Sequence, residues 1–307
     1  MTEISIGIDI SKDRVDVHRY PKGDAASFEN TKAGLKALIG WLGRGVTRIV
    51  FEPSGRYHLA LERAEYPLVK VNPRHAKRFG EALGTRAKTD PMDAAMLARM
   101  GAALDLEPHP VKPEILTNLN DLVMARRALV KDRTATKNRA KETTLAILRR
   151  QNAARLKQIN ADIKALDAAA RTLISQEDAL AARYAILLSI PGISTVTAIT
   201  LLAQMPELGH MDQRAAASLA GLAPVTRKSG KWTGKAFVQG GRNVLRDALY
   251  MPALAATRFN PDLKRLYERL RANAKPAKVA IIAVMRKLIT LANTLLRENR
   301  VWTSERP

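Results

Sequence analysis

Ile4-Ser-Ile-Gly-Ile-Asp-Ile-Ser-Lys-Asp-Arg-Val-Asp-Val-His-Arg-Tyr, residues 4–20, decides how the first third of the chain folds. Ile4 to Ile10 is a short β-type apolar run with Asp9 near its end. Val15 to Tyr20 alternates apolar with polar residues, the period of a half-exposed strand. Ser27-Phe-Glu reads as a third strand. Three strands in such quick succession predict an antiparallel meander.

Working outward, Asn30 or Thr31 caps a helix carrying Leu35, Leu38, Ile39 and Leu42, which Gly43 and Gly45 end. Thr47-Arg-Ile-Val-Phe-Glu is the next strand and closes on Glu52. A helix from about Tyr57 to Glu65 follows, then a strand at Leu68-Val-Lys-Val. Pro73 opens a helix with His75, Lys77 and Arg78, and residues 84–88 read as a mobile basic loop. Arg86-Ala-Lys-Thr-Asp-Pro-Met-Asp-Ala-Ala-Met-Leu-Ala comes next. Local rules make Asp90 an N-cap, Pro91 the first helical residue and Asp93 the N3 residue that complements the dipole. Residues i and i+3 also share a helix face, so both carboxylates could meet one metal ion.

The order of three strands, a helix, then strand–helix alternation resembles the ribonuclease H-like fold. That resemblance places catalytic carboxylates at the end of the first strand, near a later strand end and on a following helix. Asp9, Glu52, Asp90 and Asp93 fall at those stations. Such clustering has a chemical reason: two divalent ions roughly 4 Å apart need several bridging and terminal carboxylates.

Composition bounds the partners. The 307 residues suit two domains, and 51 Lys plus Arg against 29 Asp plus Glu give a formal net charge of +22. A surplus that size is self-repelling unless a polyanion neutralises it, which makes nucleic acid the leading partner. The absence of cysteine excludes disulfides and thiolate metal sites and fits a reducing cytoplasm. No apolar run of transmembrane length and no signal peptide is read, so a cytoplasmic protein without a membrane partner is expected.

Pro108, Pro110 and Pro113 mark a domain edge. From Glu114 to about Arg183 there is neither proline nor glycine. Leu116, Leu119 and Val123 form one apolar stripe, and Ile159, Ile163, Leu166, Ala170 and Leu173 form a heptad-like one. Nine basic residues against Asp132 and Glu142 lie between Arg126 and Arg150, a pattern suited to tracking phosphates. A coiled coil that also dimerises is favoured over an intramolecular hairpin. Ile190-Pro-Gly-Ile-Ser has the look of a helix-hairpin-helix turn, with Ser194 in place of the usual second glycine. Ser229 lies in a glycine- and lysine-rich loop, with no nearby His or Asp to form a hydrolase triad. Lys228, Lys231, Lys235, Arg242 and Arg246 surround it with charge fit for a DNA phosphate. Closing helices are predicted over Asn243 to Thr257, Pro261 to Ala272 and Lys278 to Leu296.

Seven motifs then converge: Gly7-Ile-Asp-Ile-Ser-Lys-Asp, Phe51-Glu-Pro-Ser-Gly-Arg-Tyr-His, Val71-Asn-Pro-Arg-His-Ala-Lys, Ala87-Lys-Thr-Asp-Pro-Met-Asp-Ala, Ile190-Pro-Gly-Ile, Ala220-Gly-Leu-Ala-Pro and Lys228-Ser-Gly. Together they resemble the DEDD transposases of the insertion sequence one-ten family, over about Gly7 to Leu296. The resemblance implies an α/β plus all-α protein: a RuvC-like (ribonuclease H-like) domain over 1–108, a helical coiled-coil region over 109–183, and a mainly helical C-terminal transposase domain with a serine loop over 184–307. The Leu59–Val71 connection is shorter than is usual in that family.

The same resemblance implies the chemistry. Asp9, Glu52, Asp90 and Asp93 would form the tetrad that binds Mg2+, and Ser229 would be the nucleophile that attacks DNA to give a phosphoserine intermediate. Donor DNA, target DNA and a non-coding bridge RNA would be the partners. Their backbones would meet Arg74, Lys77, Arg78, Arg86, Lys88, Arg126, Arg127, Lys228, Lys231, Lys235 and Arg242. A dimer, and a tetramer when assembled on DNA, would act at the bacterial nucleoid. Two alternatives remain at this stage: a Holliday-junction nuclease using the tetrad and water, and an inactive nucleic-acid-binding relic.

Overall fold

β1 (Ser5–Ile10) is the middle strand of a five-stranded sheet that also contains β2 (Arg14–Tyr20), β3 (Ala25–Glu29), β4 (Arg48–Phe51) and β5 (Leu68–Lys70). In this computed structural model the strand order is β3-β2-β1-β4-β5. β1–β2 and β2–β3 are antiparallel, whereas β1–β4 and β4–β5 are parallel. The predicted meander is therefore present, and the two parallel strands extend it on the other side. The structure describes residues 3–53, 61, 66–84, 90–108, 113–226, 228–229, 232–234 and 236–304. Of Asp90, Pro91, Lys228, Ser229, Trp232 and Thr233 it describes the backbone alone. The expected helix from Tyr57 to Glu65 and the loop from Thr85 to Lys88 lie outside the described residues, Leu61 excepted. So do residues 59, 60 and 62–65 of the short Leu59–Val71 connection.

The two-residue period of β1 sorts its side chains onto two faces. Ile6, Ile8 and Ile10 are buried with Val15, Val17, Ile49 and Phe51 against Leu38 and Leu42 of α1 (Lys32–Leu42). The Thr31 hydroxyl accepts the Gly34 N–H at 3.2 Å and starts that helix. Ser5, Gly7 and Asp9 belong to the opposite face. There Val50 and Val69 pack with Ala76 of α2 (Pro73–Ala82) and with Leu97 and Met100 of α3 (Asp90–Ala103). A mixed sheet covered by helices on both faces is consistent with a ribonuclease H-like domain.

By contacts within the chain, Met1–Lys112 forms one compact unit and Pro113–Pro307 a second. The second unit begins with α4 (Glu114–Glu142) and α5 (Ala146–Ser175), which pack along one another within the chain. The two long helices thus form a hairpin within the chain, one of the two packings expected of them. Three residues, 143–145, join the helices, and Ile159, Ile163 and Ala170 of the heptad-like stripe are buried inside the one chain. Leu119, Val123, Ala170 and Ile174 join a core with α6 (Asp178–Ser189), α7 (Thr195–Gln204), α8 (Gln213–Leu219), α9 (Asn243–Phe259), α10 (Pro261–Ala272) and α11 (Ala277–Arg297). The Asp212 carboxylate accepts the Arg214 and Ala215 N–H groups at the start of α8. The Ala215 bond, then the Arg214 bond, holds its pKa below the ordinary carboxylate value.

α11 corrects one expectation. It is long and apolar enough to span a membrane by length and composition, with a mean hydropathy of 1.7. Its apolar residues have a different use: Val284, Leu288, Ile289, Ala292 and Leu295 are fully buried in the unit's core. Asn293, also fully buried, accepts the Gly209 N–H at 2.7 Å and donates to the Met211 carbonyl at 2.8 Å. A helix that buries most of its surface in protein needs no polar face.

Candidate active site and nucleic-acid interface

Two glycines set how α3 lies on the sheet. A β-carbon on Gly7 would stand 1.9 Å from the Ala94 carbonyl oxygen and 2.3 Å from the Ala98 nitrogen. One on Gly101 would stand 2.5 Å from Val50 Cγ2 and 2.6 Å from Ser5 Oγ. Ala94 and Ala98 thus rest on the middle of β1, and Gly101 on its beginning. α3 consequently runs antiparallel to β1, with its first turn at the Asp9 end. Arg48 anchors the far end: its buried guanidinium donates to the Gly101 carbonyl at 2.9 Å and pairs with Glu3 at 2.6 Å and Asp105 at 2.8 Å.

That first turn carries Asp90 and Asp93. Asp90 is the first described residue of the helix, and what precedes it lies outside the described residues. Ser5 pairs with Arg48 and Gly7 with Val50 across the parallel β1–β4 ladder. The ladder ends at Ile8 and Phe51, so Asp9 and Glu52 are the residues that follow its last pair, at the end of the sheet where α3 starts. Both are half-buried, as is Asp93. The described backbone therefore puts Asp9 of β1 and the first turn of α3, with Asp93, at the same end of the sheet. Among the described residues, no three His, Asp or Glu side chains lie close enough together to hold a metal ion.

The sequence reading passed over one further carboxylate. Asp16 pairs directly with Asp9 across β1–β2, is buried, and takes the Arg14 Nε at 3.0 Å. Strand alternation had made it a solvent-facing residue of β2; α3 covers that face instead.

In the second unit, Ser229 is placed on a β-hairpin and not in a loop. β6 (Pro224–Val225) pairs with β9 (Phe237–Val238), and inside them β7 (Lys228–Ser229) pairs with β8 (Trp232–Thr233). Ser229 is opposite Trp232. At the neck of this segment Gly221 and Gly241 press together: a β-carbon on Gly241 would lie 2.2 Å from the Gly221 nitrogen. Both have positive φ, 67° and 64°, a conformation glycine adopts without strain.

The basic residues assigned to nucleic acid divide into three groups. Arg74, Lys77 and Arg78 are exposed on α2. Arg126 pairs with Asp167 at 2.5 Å, Arg127 with Asp247, and Arg242 forks onto Glu207 at 2.7 and 3.0 Å while also donating to the Gln204 carbonyl. These last three hold the second unit's own helices together. Arg86, Lys88, Lys231 and Lys235 lie outside the described residues, and Lys228 contributes its backbone to β7.

The Ile190–Ile193 turn joins α6 to α7 as expected. Gly192 has φ of 105°, and a β-carbon there would meet the Pro252 carbonyl oxygen of α9 at 2.7 Å. Ser194 serves as the N-cap of α7, accepting the Thr197 N–H at 3.4 Å.

Comparison with known proteins agrees with both units. An IS110-type DEDD transposase family model matches residues 6–149, and the model of the transposase IS116/IS110/IS902 family matches residues 184–268. The pilin gene-inverting protein of Moraxella bovis is 30% identical over 322 aligned positions, covering 98% of each chain. That of Moraxella lacunata is equally similar, 30% identical with the same coverage. An insertion element IS110 protein of 43.6 kDa from Streptomyces coelicolor is 31% identical over 129 positions, covering 40% of this chain and 31% of its own. This chain belongs to the IS116/IS110/IS902 transposase family and is a DNA transposase or recombinase.

Proposed function

We propose that the chain cuts and exchanges DNA strands through a split active site, with Asp9, Glu52, Asp90 and Asp93 as one half and Ser229 as the other. The carrying observation is the corner where β1, β4 and the first turn of α3 meet. Four carboxylates are the donor set that a hard divalent cation takes. Mg2+ is the ion proposed; when bound it would polarise the scissile phosphate and favour ionisation of the serine. Asp9 is held by β1, Glu52 follows the last residue of β4, and Asp90 and Asp93 belong to the helix that Gly7 and Arg48 seat. Ser229 Oγ attacks the phosphodiester, forming a serine–phosphate bond and releasing one strand end as a hydroxyl. Attack by another strand's hydroxyl reverses the step and frees the serine.

In this reading residues 1–108 work as the RuvC-like part, 109–183 as the helical region and 184–307 as the serine-bearing part. Subunits pair as dimers and tetramers so that tetrad and serine come from different chains. A bridge RNA selects donor and target DNA by base pairing, while exposed cations such as Arg74, Lys77 and Arg78 meet backbones without reading sequence. The Moraxella relatives are named for inverting a pilin gene, which supports strand exchange over simple cutting. The reaction takes place in the cytoplasm, on nucleoid DNA.

The test is a recombination assay using a nicked DNA substrate that traps a covalent protein–DNA adduct. Wild-type protein is expected to form the adduct, Ser229→Ala to lose it, and Asp9→Ala and Asp93→Ala to lose it with folding intact. Undiminished cleavage by Ser229→Ala would overturn the serine mechanism in favour of a junction nuclease that uses water. Unchanged activity of all three variants would leave a nucleic-acid-binding relic.

A further inference from the structure

The α4–α5 hairpin has two dissimilar halves. Each helix is about 44 Å long at 1.5 Å per residue. The basal half is bound into its unit: Leu119, Val123, Ala170 and Ile174 enter the core, and Arg126 and Arg127 are spent on Asp167 and Asp247. The distal half, residues 131–157, is built differently. Thr136 is its one buried residue. It carries Lys131, Arg133, Lys137, Arg139, Lys141, Arg149, Arg150, Arg155 and Lys157 against Asp132 and Glu142 alone. Among the described residues, none of these nine cations pairs with a carboxylate. Arg133, Arg139 and Arg149 hydrogen-bond to neutral partners instead: Asn160, Thr136 and the Thr143 carbonyl.

At the tip, Leu145, Ile147 and Leu148 are 63%, 50% and 43% exposed. Lys141, Arg149 and Arg150 stand within a few residues of them. An apolar tip alone would fit a second copy of the chain. Docking two such tips, however, would bring two strongly cationic arms together, and like charges across an interface oppose association. A polyanion resolves both features, because cations neutralise phosphates while aliphatic side chains enter between partly unstacked bases.

We propose that the distal hairpin is a nucleic-acid arm, in which the basic flanks hold the backbone of a duplex and Leu145, Ile147 and Leu148 wedge against its bases. The surface is distinct from the tetrad corner and from the serine hairpin. It rests on the chain's action on DNA and not on the serine chemistry, so a Ser229→Ala protein should bind through the arm unchanged.

The experiment titrates full-length protein into a short DNA duplex carrying a fluorescent purine analogue, and in parallel into an RNA hairpin. Unstacking brightens the analogue. The triple variant Lys141→Ala/Arg149→Ala/Arg150→Ala is expected to weaken binding by about tenfold. It should also lower the slope of log affinity against log salt by about 1 per cation removed. The triple variant Leu145→Ala/Ile147→Ala/Leu148→Ala should keep that slope and lose the fluorescence rise. Both sets are exposed, and alanine favours helix, so circular dichroism is expected to match the parent. Loss on the DNA duplex supports the arm, and loss confined to the RNA hairpin overturns it. The proposal is overturned if both variants bind and unstack like the parent. It is also overturned if the aliphatic variant changes only the oligomeric state, or if anionic lipid vesicles compete with the duplex through the same residues.

Discussion

Gly7 and Ala94 are in backbone contact: the Ala94 carbonyl oxygen occupies the space into which any β-carbon at position 7 would project, 1.9 Å from it. The relationship ties the strand bearing Asp9 to the helix bearing Asp90 and Asp93. Because the obstructing atom belongs to backbone, no rotamer change can relieve it. Gly7→Ala is expected to lift α3 from the sheet, destabilise the first unit by about 1–3 kcal/mol and abolish recombination. Denaturant melts beside the activity assay check this; a variant with wild-type stability would mean the helix is seated by other contacts.

How much of this was open to a reader of the sequence follows from the range of each interaction. Strands β1 to β5 announce themselves through local alternation, and the helix starts at Thr31, Asn72 and Asn260 through their caps. The places of Asp9 and Glu52 along the chain were legible because the ends of β1 and β4 can be read from such patterns. Asp16 was not, because alternation states which residues share a face but not what covers it. The hairpin at Ser229 was missed because ladders two residues long leave no periodicity to detect. The Gly7–Ala94 contact spans most of the first unit, and its only local trace is a glycine inside an apolar strand.

Arg242 is expected to act on stability more than on nucleic acid. Its fork onto Glu207 and its bond to the Gln204 carbonyl bind the start of α9 to the end of α7. The pair is partly exposed, with side chains 32% and 40% accessible, so solvent screening limits its contribution to about 1 kcal/mol. Arg242→Ala should lower the unfolding midpoint while leaving the salt dependence of DNA binding unchanged. A lowered salt slope would instead make Arg242 a phosphate contact.

Asn293 provides a sharper stability test. Replacing it with Leu suits the apolar surroundings of α11 but leaves the Gly209 N–H and the Met211 carbonyl without a partner. Each orphaned group costs about 1–3 kcal/mol. Asn293→Leu should therefore destabilise the second unit strongly, although it raises the hydropathy of the helix. An unchanged melt would show that both groups find other partners.

His18 gives the first unit a pH dependence. Burial lowers its pKa from the ordinary 6.5, and the nearby Asp24 carboxylate offsets that only in part. The unfolded chain then binds the proton more readily than the folded one. Stability contributed by the neutral ring is complete above pH 6.5 and is lost as the pH falls below it towards the lowered folded value. Thermal melts between neutral and mildly acidic pH should show this decline for the parent and a flatter profile for His18→Asn. Parallel profiles would place the acid sensitivity elsewhere.

The neck formed by Gly221 and Gly241 has a consequence for how Ser229 is held. Where a chain leaves and re-enters a domain through one touching point, whatever lies between is a cassette. The frame holds the cassette at both ends, through Leu222, fully buried in the unit's core, and through the Gly240 carbonyl, which accepts from Arg246 of α9 at 3.2 Å. The position of Ser229 is thus set twice over, by hairpin register within the cassette and by the collar that fastens it. A side chain at either glycine would unfasten it without touching the serine.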